Sequence, residues 1–199
     1  MSPILTGVIA SGISGHLTPP WSPEGAYDAL STVTVPSGGL ASVTFAGIPN
    51  TYKHLQIRGL SRCSRAITST NVGIVRFNED ASTANYWSTH NITGDGGGAY
   101  AQSIQTVAAA GVWGALSAGG TATASTFATF VTDILDYQNP NKYTTTRSLQ
   151  GKESNDTTGI VHLVSGLWFN TAPINTITLV DGGGFNFVQH SQFTLYGVK

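Results

Sequence analysis

Charge is what this chain has least of. Only 10% of its 199 residues are Asp, Glu, Lys or Arg, where about 25% is ordinary for a soluble domain. Nine basic against ten acidic side chains leave a net charge of −1, so no basic field exists to gather a polyanion and nucleic acid is not an expected partner. The polar surface must then be hydroxyls and amides. That composition suits a subunit packed among neighbours, because desolvating charges costs more than covering hydroxyls.

Cysteine is nearly absent too. Cys63 stands alone, which excludes a disulfide framework; Arg62 and Arg65 beside it supply no paired base, so it reads as a space-filling residue. The histidines at positions 16, 54, 90, 162 and 190 form no i, i+2 or i, i+4 pair, and no metal site is expected. Three glycine runs, at 94–98, 108–125 and 182–184, fit neither a dinucleotide fingerprint nor a phosphate loop, and no helix follows them to hold an anion. No cofactor is expected. Nucleophile chemistry has no foothold either, since Gly-x-Ser-x-Gly does not occur. The carboxylates of Asp133 and Asp136 stand three residues apart in an apparent strand, hence on opposite faces.

What remains is a β sequence. Val33 and Val35 alternate with threonines, Pro36-Ser37-Gly38-Gly39 turns the chain, and Val43 and Phe45 resume the alternation, the pattern of a hairpin. Further strands are expected at 54–61, 71–77, 86–92, 102–107, 127–137, 143–150, 160–168, 174–180 and 192–198. Eleven strands without a convincing helix predict an all-β fold, an antiparallel β-sandwich of jelly-roll type. The Ala/Gly/Ser/Thr stretch 108–125, with Val112, Trp113 and Leu116, has little bulk and reads as loop or contact surface rather than core.

The chain opens differently. Its first seventeen residues carry no charge, and Gly7, Gly12, Gly15 and His16 interrupt the apolar residues, which fits neither a secretory signal nor a membrane-spanning run. Ile4, Leu5, Val8, Ile9 and Ile13 instead compose an apolar arm for docking on another subunit. Pro19, Pro20 and Pro23 then stiffen a linker. Residues 1–30 are read as arm and linker, and 31–199 as the sandwich domain.

Aromatics supply the remaining functional hint. Trp87 and His90 follow a polar turn, and Tyr100 and Trp113 sit in or beside the glycine-rich stretches. Placed on loops, such rings stack on sugars or anchor a protein contact. Trp168, inside an apolar strand, is expected in the core.

Several longer runs are more specific. FAGIPNTYKHLQIRGLSR (45–62), VRFNED (75–80), DILDYQNPNKYTTTRSLQG (133–151), SGLWFNTAPINTITL (165–179) and FVQHSQFTLYGVK (187–199), with the opening ILTGVIASGISGHLTPP (4–20), resemble a family of small tailed-bacteriophage proteins associated with the virion or its tail. The likeness spans nearly the whole chain and brings no catalytic residues with it. It implies a non-enzymatic structural protein of the virion exterior, self-associated and bound to other virion proteins. A tail tip or fibre module touching host surface glycans is the leading expectation, a capsid decoration protein the alternative, and a virion-borne glycan hydrolase the remote one. The last requires two carboxylates converging in a cleft.

Overall fold

A computed structural model describes residues 25–103, 110–154 and 159–199; the arm residues Ile4, Leu5, Val8, Ile9 and Ile13 lie outside the described residues. Among the described residues twelve strands account for nearly all regular structure: β1 (Tyr27–Thr34), β2 (Ser42–Ala46), β3 (His54–Ser61), β4 (Thr70–Phe77), β5 (Tyr86–Asp95), β6 (Gly98–Ser103), β7 (Val112–Ala118), β8 (Ala128–Leu135), β9 (Thr144–Lys152), β10 (Ile160–Trp168), β11 (Thr176–Asp181) and β12 (Gln192–Val198). One 3-10 turn, Thr83–Asn85, precedes β5. No helix among the described residues is long and apolar enough to cross a membrane.

Two antiparallel sheets pack face to face. The larger has the order β1-β12-β3-β8-β9-β10-β5-β6 and the smaller β2-β11-β4-β7. Setting aside β5, β6, β9 and β10 leaves β1-β12-β3-β8 opposite β2-β11-β4-β7, with the chain winding between the two sheets in jelly-roll order. The four remaining strands extend the first sheet beyond β8. They enter as two excursions, β5-β6 between β4 and β7, and β9-β10 between β8 and β11. β7 lies against the inner side of this extension, touching β8, β9, β10 and β5.

Period-two alternation built these layers. In β2 Val43 and Phe45 point inward between exposed Ser42, Thr44 and Ala46, and in β9 buried Thr144, Thr146, Ser148 and Gln150 alternate with exposed neighbours. The main core joins Leu55, Ile57, Phe77, Phe130, Ile177, Phe187 and Phe193. Trp168, 1% exposed, packs at 5.6 Å from Phe77 and 6.4 Å from Tyr86, where the sequence placed it. Cys63 is fully buried, and burial pushes its thiol up to about 11.

Three sequence expectations need correction. The turn at Pro36-Ser37-Gly38-Gly39 does not close a hairpin: β1 pairs with β12 and β2 with β11, in different sheets. Both flanks bond instead to the β11–β12 connection, Val35 N–H to Ser191 C=O at 2.8 Å and Leu40 N–H to Phe187 C=O at 3.0 Å. Gly39, with φ +78°, passes so close that a Cβ would stand 2.7 Å from the Phe187 carbonyl. The stretch expected to be loop contains β7, buried along nearly its whole length. Small residues serve there as close-approach points, since a Cβ on Gly73 of β4 would lie 2.7 Å from Ala115 Cβ. The first strand also begins at Tyr27, earlier than position 31.

Candidate functional site

The candidate residues sit on strands rather than loops, and they do not converge. Trp87 and His90 belong to β5, Tyr100 to β6 and Trp113 to β7. Trp87 stands opposite Leu167, and His90 opposite Ser165, on the outer face of the large sheet. Tyr100 stands opposite Thr93, whose side chain is buried, so it lies on the other face. Trp113 is half-buried in the small sheet, paired with Ile74.

Trp87 instead gathers two rings that residue types alone did not single out. Its indole meets Phe169 edge-on, with centroids 6.1 Å apart, and Phe169 meets Tyr143 at 5.5 Å. All three stay in solvent, at 39%, 37% and 50% exposure. Tyr143 immediately precedes β9 and Phe169 immediately follows β10, so strand ends bring to Trp87 two residues 56 and 82 positions away from it in the chain. The only signal in the sequence is that each aromatic flanks a strand end.

Next to the rings on the same face lies a polar row. Asp133, Arg147, Ser165 and His90 stand directly opposite one another across β8, β9, β10 and β5. Arg147 Nε donates to Asp133 Oδ2 at 2.8 Å, and the carboxylate holds the guanidinium's pKa up. Gln56 Nε2 donates to the other oxygen, Oδ1, at 2.7 Å. The pair thus neutralises itself in place.

Beyond the polar row comes an aliphatic one. Val131, Leu149, Leu163, Ile92 and Ala101 face each other in register across β8, β9, β10, β5 and β6. Leu149 and Ile92 are each 57% exposed. Two shallow depressions, of 390 Å³ over Ile92, Ala101 and Leu163 and of 280 Å³ over Val131, Leu149 and Val161, make the row a groove. An antiparallel sheet with one solvated face ordinarily turns polar side chains outward there.

The carboxylates of Asp136, Asp133 and Asp95 are engaged in structure. Asp136 accepts from Lys142 Nζ and its pKa is lowered by that bond, while Asp133 serves Arg147 and Gln56. Asp95 and Glu153 both line a depression of 290 Å³ with Gly94, Gly96 and Gly159. Asp95 Oδ1 there accepts the Gly97 N–H at 2.8 Å and braces the β5–β6 turn. Among the described residues no group of three His, Cys, Asp or Glu side chains is placed to hold a metal ion.

Fold and surface define a jelly-roll sandwich whose four-strand extension presents an exposed aromatic and aliphatic face. No family model, curated protein or solved structure matches the chain.

Proposed function

We propose that this chain is a non-enzymatic structural protein of a tailed-bacteriophage virion, exposed on the tail and contacting host surface glycans, with the arm at residues 1–17 attaching it to another subunit. The resemblance of the long sequence runs supplies the setting. The observation that carries the glycan contact is the exposed trio of Trp87, Phe169 and Tyr143 beside the polar row. Ring faces stack on the C–H faces of sugars, and Ser165, His90 and the Asp133–Arg147 pair lie within the next rows of the same sheet face to exchange hydrogen bonds with hydroxyls. A self-neutralised ion pair suits uncharged sugars better than a bare charge.

Purified chain is expected to bind host envelope polysaccharide, with Trp87→Ala or Phe169→Ala weakening binding about five- to twelvefold, one lost ring being worth roughly 1–1.5 kcal/mol. Tyr100→Ala, on the opposite face, should leave it intact. Unchanged binding in both ring variants, at unchanged thermal stability, overturns the glycan contact. Among the described residues Asp95 and Glu153 are the carboxylates that share a depression; glycan cleavage by the wild type that disappears in Glu153→Gln would establish the hydrolytic alternative in place of the non-enzymatic reading.

A further inference from the structure

The aliphatic row is a feature of the outer face that glycan contact leaves unused. Four aliphatic side chains and Ala101, contributed by five successive strands, stand in one straight line, and Val161 widens the line beside Leu163. Its two depressions are floored by carbon; of the described residues that line them Arg147 carries a charge and is already bonded to Asp133, while Arg58 stands opposite Val131 at the end of the row. A groove floored by carbon calls for an apolar occupant. The chain itself contains one: residues 1–17 carry no charge and hold Ile4, Leu5, Val8, Ile9 and Ile13.

We propose that residues 4–13 of a second copy of this chain lie across the aliphatic row, so that each copy's arm is received by the extended sheet of a neighbour. This rests on the arm being the docking element, and names its partner. Length agrees: with strands about 4.8 Å apart the row from Val131 to Ala101 runs about 19 Å, and ten residues span up to about 33 Å extended. Direction also agrees. The described chain starts at Gly25, beside the β1 edge of the sheet, whereas the row lies over β8 to β6 at the far side. An arm folding back onto its own row would have to cross Arg58, which stacks at 4.9 Å on Tyr27 and 4.7 Å on Tyr196 on that same face. From the opposite side the approach is over β6, Gly98–Ser103, exposed throughout and uncharged.

Disulfide trapping between full-length chains tests this without a virion or a glycan, so its failure is distinct from failure of the glycan contact. Cys63 is buried and does not compete. Ile9→Cys chains are mixed with Leu149→Cys chains, and in parallel with Ser42→Cys chains, whose thiol sits on the exposed face of the small sheet. The expected result is a disulfide between chains through positions 9 and 149 at least tenfold more abundant than through 9 and 42. In sedimentation, Leu149→Glu with Leu163→Glu should raise the dissociation constant of the wild-type oligomer at least tenfold. Equal trapping at 149 and 42 overturns the proposal. So does trapping found only within single chains carrying both cysteines, which would mean that the arm covers its own sheet. An oligomer that the row substitutions dissociate, but in which positions 9 and 149 do not join, overturns it in favour of direct sheet-to-sheet packing.

Discussion

Trp168 Nε1 donates to Asp80 Oδ2 at 2.8 Å, joining the end of β10 in the large sheet to the turn that follows β4 in the small one. The same carboxylate accepts from Asn85 Nδ2 at 2.8 Å and from the Ser82 N–H at 3.0 Å. Removing it strands an indole N–H in the core, so Asp80→Ala is expected to cost about 2 kcal/mol, measured by urea unfolding. Partial burial opposes ionisation of Asp80, but the Trp168 and Asn85 bonds outweigh it and hold its pKa below the ordinary 3.8. Its stabilisation is therefore complete above that pH and is lost as pH falls through the folded value. An Asp80→Ala cost that persists undiminished at pH 2 would contradict this account.

Gly166 lies where β7 presses on the extension. A Cβ there would stand 2.6 Å from Thr146 Oγ1 and 2.9 Å from Val112 Cβ. Gly166→Ala is expected to destabilise by about 2 kcal/mol through overpacking, lowering Tm by about 4–8 °C. A Tm within 1 °C or so of wild type would show that β7 is free to move away.

His162 supplies a pH dependence of opposite origin to that of Asp80. Burial lowers its pKa from 6.5, Asp95 pulling weakly the other way; Nδ1 lies 3.3 Å from Thr93 Oγ1, and Nε2 is buried without a partner among the described residues. The unfolded chain then binds more protons between the folded value and 6.5. Stability should be full above pH 6.5, decline as pH falls through that window, and level off below the folded value. Urea midpoints at pH 7.5 and 5.5 should differ more for wild type than for His162→Asn; an equal difference would place the titration elsewhere.

Cys63 should resist thiol reagents. With the sulfur enclosed and its pKa raised to about 11, labelling at pH 8 is expected on the order of 100-fold slower than for an exposed thiol, and to accelerate in step with unfolding by urea. Labelling at the rate of a free thiol in native buffer would mean that the β3–β4 connection opens.

Much of the sandwich was legible because burial on one face writes itself into alternate residues. Strands 54–61, 160–168 and 192–198 match the observed β3, β10 and β12, and Trp168 is in the core. β7 was not legible, since its Gly and Ala residues lower the hydrophobic signal for the same reason that they let it pack close. The turn at 36–39 was read as a hairpin because its composition specifies a reversal of the chain, and a reversal within one sheet and a corner between two sheets use the same residues. Of the candidate ligand residues, Trp87 and His90 share a face, while Tyr100 and Trp113 are turned elsewhere by register.

Residue order alone specifies an all-β chain, poor in charge and divided between inward and outward positions at a period of two. Which strands lie side by side is settled in the folded molecule. Alternation tells a residue which face to occupy but not which neighbour to meet, and Ile92, Leu149 and Leu163 become one line only when β9, β10 and β5 pair in their particular register. That pairing joins residues dozens of positions apart and is selected by the fit of whole sheets around a common core. The candidate surface belongs to that level of structure, for it exists on no single strand.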